Sequence, residues 1–261
     1  MCGTMEISDE QQAIIDSKVD TIVISNPGAG KTTTLSLKVI DLLQNDVKPE
    51  KILCITYTAK AKKEMFNTIF KMAKEQGISE SIIMKINIST FHGMALDYLT
   101  NVGLISGDVI DGNNLLRYSI LESFESNKAL NYDQDTIIKW YLGKMDNSIR
   151  YIKSFGITPE KIDVNKATKV LEEIFDEKSS SYTMDEMKSF LKYFVDAYKE
   201  YEKSKLQAID YSDMLLMFKE KFHGNKFEHV LVDEMQDMNE IEAEIATMVA
   251  ENLFLVGDAK Q

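Results

Sequence analysis

Cysteine, proline, histidine, arginine and tryptophan are all scarce in this chain of 261 residues, and each shortage removes a class of protein. Two cysteines, Cys2 and Cys54, are too few for a disulfide framework and point to a reducing, cytoplasmic setting. Three histidines (His92, His223, His229) give no Cys/His cluster with metal-site spacing. Three prolines go with an absence of low-complexity tracts and of internal repeats. No stretch approaches the roughly 18–20 consecutive apolar residues of a membrane span. The N-terminus lacks the basic-then-apolar pattern of a signal segment, so no membrane partner is expected. Arg117 and Arg150 are the only arginines, which argues against a small-molecule kinase with an arginine-bearing lid.

What is present is a composition 44% hydrophobic, enough for one large domain or two modest ones. The net charge of −12 argues against a surface coated in phosphate-binding lysines. Local patterning differs from the total. Residues 51–74 carry Lys51, Lys60, Lys62, Lys63, Lys71 and Lys74 against one acid, Glu64, whereas residues 227–251 carry acids and no Lys or Arg. An acidic total can therefore hide a local anion-binding face, although most single charges here read as solvated helix faces.

Residues 25–32 read Ser-Asn-Pro-Gly-Ala-Gly-Lys-Thr. They lie between Thr21–Ile24, an apolar run suited to a buried parallel strand, and a helix with an apolar face carrying Leu35, Val39, Ile40 and Leu42. Gly28 and Gly30 let backbone N–H groups approach phosphate, and the helix N-terminus adds donors and partial positive charge. Lys31 can reach the β- and γ-phosphates and the Thr32 hydroxyl can ligate Mg²⁺, the pattern of a P-loop for ATP. Ser25 stands where that pattern opens with Gly. The competing reading is a glycine turn that only links strand to helix.

Further strands are expected at 51–56, 85–89, 229–232 and 253–256, with helices at 59–75, from 93 onward and at 239–251. Alternating strands and helices predict an α/β fold with a parallel sheet covered on both faces. Between about 101 and 206 the strand pattern disappears and polar-faced helical periodicity takes over, which predicts an inserted all-α subdomain. Leu231-Val232-Asp233-Glu234 closes a strand with two carboxylates. Beside a P-loop, Asp233 suits Mg²⁺ and Glu234 suits activation of the attacking water; alone, the pair would read equally well as surface acids.

Asp233-Glu234-Met235-Gln236-Asp237 has the Asp-Glu-x-Gln-Asp form of superfamily 1 helicases, and the chain resembles the UvrD/Rep/PcrA branch. Ile7 to Ala13 is similar to that family's adenine-reading segment, with Gln11 as reader. Ile55 to Ala61 resembles the segment gripping single-stranded DNA, and Ser89-Thr90-Phe91-His92-Gly93 the next DNA-contacting stretch. Residues 149–159 and 210–216 resemble weaker patterns, and Val256 to Gln261 is similar to the segment whose Gln senses the γ-phosphate.

The resemblance implies a RecA-like P-loop domain over 1–100 and 207–261, with a helical insertion at 101–206. It implies catalytic roles for Lys31, Asp233, Glu234 and Gln261. Nucleotide contacts would come from Gln11, Pro27, Gly28, Ala29, Gly30, Lys31, Thr32 and Thr33, and Mg²⁺ contacts from Thr32 and Asp233. Many relatives carry Arg where Thr33 stands. DNA contacts would come from Thr56, Tyr57, Thr58, Lys60, Thr90, Phe91 and His92. Read without the family pattern, Tyr57 and Phe91 would also serve as core aromatics and His92 as a hydrogen-bonded structural residue. Trp140 is expected in the core of the insertion.

The family's second RecA-like domain, which closes over ATP, is not found before Gln261. The chain is therefore expected to be an N-terminal fragment or a truncated product, which binds Mg-ATP weakly, hydrolyses it slowly, contacts single-stranded or partial duplex DNA and does not unwind it. The intact family couples ATP hydrolysis to 3′→5′ translocation. The alternative is a P-loop module that binds nucleotide without turnover.

Overall fold

The computed structural model describes residues 8–25, 30–106, 109–126, 135, 139, 142–174, 183–206 and 208–258. Pro27, Gly28, Ala29, Trp140 and Gln261, named above, lie outside the described residues. The chain divides into two compact units, Met1–Leu104 with Phe218–Gln261, and Ile105–Met217.

The first unit is an α/β sandwich. Its elements run α1 (Asp9–Asp16), β1 (Thr21–Ser25), α2 (Lys31–Gln44), β2 (Ile52–Ile55), α3 (Ala59–Glu75), α4 (Glu80–Ile83), β3 (Asn87–Ser89) and α5 (Phe91–Asn101). After the second unit come β4 (Phe227–Val232), α11 (Glu240–Val249) and β5 (Ala250–Asp258). The five strands are all parallel in the order β1-β5-β4-β2-β3, so the strand ends following β1 and β4 lie at one edge of the sheet.

The apolar run Ile52-Leu53-Cys54-Ile55 is buried on both faces, as an inner strand of a parallel sheet requires. On one face Val23, Cys54, Leu231 and Phe254 pack with Leu35 and Val39 of α2 and Met65 and Ile69 of α3. Burial pushes the Cys54 thiol up to about 12, leaving it an inert core group. On the other face α11 covers β4 and β5.

The run at β1 is not buried on both faces as its composition suggests. β1 is an edge strand, and Ile22 and Ile24 are each 62% exposed while Val23 alone turns into the core. Apolar runs report that a strand can be buried, not whether a neighbour covers it. The strand at 85–89 likewise shortens to 87–89.

Helix α1 is closed by a reciprocal cap between Ser8 and Gln11. Its C-terminal carbonyls are held by a buried lysine: Lys38 Nζ donates to Ile15 O and, at 2.8 Å, to Ser17 O. An ammonium 5% exposed is tolerable there because backbone oxygens replace its water.

The second unit is helical. It contains α6 (Asn113–Ser126), α7 (Gly143–Ser154), α8 (Val164–Ile174), α9 (Met184–Ser204) and the first part of α10 (Tyr211–Lys221). α9 begins with a capping box between Thr183 and Glu186. Its buried face (Tyr193, Phe194, Tyr198, Tyr201) packs with Leu116, Ile120 and Phe124 of α6 and Met145 and Ile149 of α7.

Beneath this core lies an ionic network. Lys153 Nζ sits 2.5 Å from Glu202 Oε1 and 2.8 Å from both Asp210 Oδ2 and Asp213 Oδ1. Lys205 Nζ lies 2.6 Å from Asp213 Oδ2 and 2.7 Å from Glu202 Oε2, and Tyr201 Oη donates to Asp210 at 2.7 Å. Glu202, Asp210 and Asp213 are close enough to hold a metal, but the two ammonium groups already compensate them. The weak patterns at 149–159 and 210–216 are thus two sides of one buried salt bridge.

Candidate functional site

The P-loop strand and the acid-bearing strand come together because the sheet is parallel. β1 runs up to Ser25, Lys31 opens α2, and β4 delivers Asp233 and Glu234 to the same edge. Helix α2 starts at Gly30, in left-handed geometry with φ 76°, which favours glycine. Helices α1, α3, α5, α9 and α11 each receive a side-chain cap from Ser8, Thr58, Thr90, Thr183 or Asn239, whereas α2 has none. Helices α4 and α7 also lack such a cap but carry an acid in the first turn; among the described residues α2 has neither a side-chain cap nor a first-turn acid. That is the arrangement of an anion-binding helix end.

Lys31 Nζ donates to Glu234 Oε2 at 2.6 Å across 203 positions, and Thr32 Oγ1 donates to Asp233 Oδ2 at 2.8 Å. Asp233 continues β4, its N–H donating to Ile55 O of β2 at 3.0 Å. Glu234 then turns into left-handed geometry, φ 54°, at a cost of roughly 1–2 kcal/mol for a residue with a Cβ. Gln236 secures the turn: its amide donates to Glu234 Oε2 at 2.9 Å and accepts from Asp258 N at 2.9 Å. Within the acidic motif Gln236 carries no role that the sequence assigns. Only the contact with β5 reveals it as the link between the acid pair and the last strand.

Gly257 makes that approach possible. A Cβ at this position would lie 2.5 Å from Met235 Cγ and 2.9 Å from Gln236 Oε1. Gly257→Ala is expected to cost about 1–3 kcal/mol in urea denaturation by pushing β5 off the acidic turn. A wild-type midpoint would contradict that packing.

The charges suit a polyanion and a hard cation. Hydrogen bonding from Glu234 is the largest influence holding the Lys31 ammonium above its ordinary range, against burial. Burial pushes the Asp233 carboxyl up, and the neighbouring Glu234 adds to it, while the Thr32 hydroxyl and Lys31 oppose. Burial also acts to raise Glu234, but Gln236 and Lys31 outweigh it and hold its carboxyl low. Asp233 is therefore an under-compensated buried carboxylate beside a hydroxyl, and hard oxygen donors of this kind fit Mg²⁺.

The remaining candidates fall in different places. Gln11 donates to Thr34 Oγ1 at 3.3 Å, and its carbonyl accepts from Ser8 N. Thr33 is half-buried beside Gly30. Thr58 and Lys60 are exposed at the start of α3, Lys60 pairing loosely with Glu64 at 3.8 Å. Thr90 caps α5 by accepting from Gly93 N. His92 is half-buried, and burial holds its imidazole below its ordinary range.

Thr56 and Phe91 are each 2% exposed, so neither offers surface to a strand of DNA as folded. Thr56 donates weakly to Thr58 O, and Phe91 is a core ring packed edge-on to Tyr57 at 6.4 Å. Tyr57 is half-buried, and its hydroxyl has no hydrogen-bond partner among the described residues.

The family model described as UvrD/REP helicase N-terminal domain matches residues 7–261. A probable DNA helicase II homolog of Mycoplasma pneumoniae is 31% identical over 275 residues, covering 98% of this chain and 35% of that protein. The Mycoplasma genitalium counterpart is 29% identical, covering 97% and 35%. The ATP-dependent DNA helicase PcrA of Staphylococcus epidermidis is 26% identical, covering 97% and 33%. The chain spans about a third of the length of these relatives. Among the described residues no helix is long and apolar enough to cross a membrane.

Proposed function

The chain belongs to the UvrD/REP helicase N-terminal domain family, and on that premise we propose that it is the ATP-binding portion of a DNA helicase. The observation that carries this reading is the meeting of Lys31 and Thr32 with Asp233 and Glu234. The sequence puts the RecA-like part at 1–100 with 207–261 and the insertion at 101–206, whereas packing divides the chain at 104/105 and 217/218, Asp210 and Asp213 pairing with Lys153 of the second unit.

Residues 27–30 and the open N-terminus of α2 cradle the phosphates, and Lys31 leaves Glu234 to bind the β- and γ-oxygens. Gln11 reads adenine, Thr33 borders the nucleotide, and Gln261 senses the γ-phosphate. Thr32 and Asp233 would hold Mg²⁺, whose charge would offset that on the phosphate oxygens. Once released by Lys31, Glu234 accepts a proton from the attacking water, with Gln236 fixing its orientation. Tyr57, Thr58, Lys60, Thr90 and His92 face single-stranded DNA, with Thr56 and Phe91 shaping that surface from beneath. Coupling to 3′→5′ movement would need a second RecA-like domain of the kind the family resemblance implies, which would supply the other wall of the cleft.

Glu234→Gln tests the assignment. Mg-ATP affinity is expected to stay within a few-fold of wild type, while phosphate release falls roughly 10²–10⁴-fold, the range of a lost general base. Unchanged release would overturn it, and rapid duplex unwinding by the purified chain would overturn its status as a partial motor. The closed Lys31–Glu234 pair, in which each group occupies the other, favours one second reading: a nucleotide-binding module without turnover. Wild-type hydrolysis above that of Glu234→Gln would exclude it.

A further inference from the structure

We propose that the first unit holds a base-reading groove beside edge strand β3, a pocket for one nucleotide whose base carries an exocyclic amino group. This rests on the DNA-binding reading above and gives it a specific subsite.

The groove is a cavity of about 380 Å³ between β3, α5 and the segment after α10. That is the size of small-ligand pockets, about 300–1,000 Å³. One wall is aromatic. Tyr98 lies 5.3 Å from Phe218 and 5.0 Å from Phe222, and the two phenylalanines are 5.1 Å apart. Tyr98 and Phe222 are half-exposed, so this wall presents ring surface to a planar ligand. Gly224 closes against it, since a Cβ there would meet Phe222 Cε2 at 2.9 Å. The Tyr98 hydroxyl is fixed, donating to Lys221 O and accepting from His223 N, so the wall is rigid.

Lys62 and Asp97, one of each charge, line the same cavity. Both are exposed, and neither side chain has an ion-pair or hydrogen-bond partner among the described residues. An aliphatic ligand leaves both unused, and a purely anionic one meets Asp97. A nucleotide matches all three features: its base lies on the rings, its phosphate faces Lys62, and an amino group on the base donates to the Asp97 carboxylate. Cytosine offers that amino group and thymine does not. The groove also opens where the strand would pass. Lys62 is in the first turn of α3 with Thr58 and Lys60, and Ser89, another lining residue, immediately precedes Thr90.

The test is an amide chemical-shift titration of the whole chain with dCMP and TMP. dCMP is expected to move Tyr98, Gly224 and Asn225 and to bind about fivefold or more tightly than TMP. Asp97→Ala removes that preference, and Lys62→Ala weakens both nucleotides alike; both positions are exposed, so the fold is kept. Still resonances in the groove at millimolar dCMP, or a preference intact in Asp97→Ala, overturn the proposal. The ATP reading fails separately, if Mg-ATP leaves Gly30 and Thr32 unmoved. The DNA reading fails separately, if a dT oligonucleotide leaves Thr58 and Thr90 unmoved.

Discussion

Lys31→Ala is expected to remove Mg-ATP binding, lowering affinity by roughly 10²-fold or more, because two or more charge-assisted hydrogen bonds to phosphate are lost together. The fold should survive. The Lys31–Glu234 pair is partly open to solvent, with Glu234 42% exposed, and such pairs contribute at most about 1 kcal/mol. A fluorescent ATP analogue and a urea titration of the same sample separate the two effects. Equal affinity in mutant and parent would remove the phosphate-loop assignment.

The pH dependence of that small stability difference has a defined sign. Glu234 is held below its ordinary 4.5, so its contribution is present above that value and disappears as pH falls through the folded one. Lys31 is held above 10.5, so its contribution is present below that value and disappears as pH rises through the folded one. The difference between parent and Lys31→Ala should therefore be flat across neutral pH and shrink at both extremes.

The second large effect is structural. Lys153→Met is expected to cost about 3–5 kcal/mol, the penalty for stranding buried charge. Lys153 is 4% exposed and touches Glu202, Asp210 and Asp213, so its loss takes the five-charge cluster from −1 to −2 and leaves Lys205 alone to balance three carboxylates. Burial acts to raise Asp210, but Lys153 outweighs it and holds the carboxyl well below its ordinary 3.8. Burial likewise acts to lower Lys153, while Asp210 and Asp213 hold it well above 10.5. The cluster's stabilisation is thus complete between about pH 4 and pH 10, lost below that as acid titrates Asp210 and above it as alkali titrates Lys153, a dependence that Lys153→Met should blunt. Chemical denaturation followed by helical signal checks both points. A change under about 1 kcal/mol would mean that the network adds nothing net.

Much of the site could be read in the sequence because its chemistry is local. Lys31 and Thr32 follow a glycine loop between a strand and a helix, and Asp233 and Glu234 end an apolar strand; these are spacings of a few residues. Gln236 and Gly257 could not be assigned that way, since their roles arise where β5 approaches the acidic turn. Phe91 and Thr56 look like contact residues in a motif but are core residues in space, because residue type does not reveal which way a strand-end side chain turns. Ile22 and Ile24 look buried and are exposed for the converse reason: whether a sheet face is covered is decided by the elements packed on it, not by the strand. Lys153, one cation among a chain rich in lysine, becomes distinctive only when helix packing places it against Asp210 and Asp213.

Short-range order along the chain thus dictated the chemical repertoire: a glycine-bearing loop followed by Lys31 and Thr32, a pair of acids, an alternation of strands and helices. The folded sheet settled the rest. Parallel strands in the order β1-β5-β4-β2-β3 bring groups 203 positions apart to within 2.6 Å, and helix packing selects which charges are sealed from water. The first kind of information follows from steric and hydrogen-bond preferences within a few residues. The second depends on which distant surfaces bury each other, a free energy shared across the whole molecule.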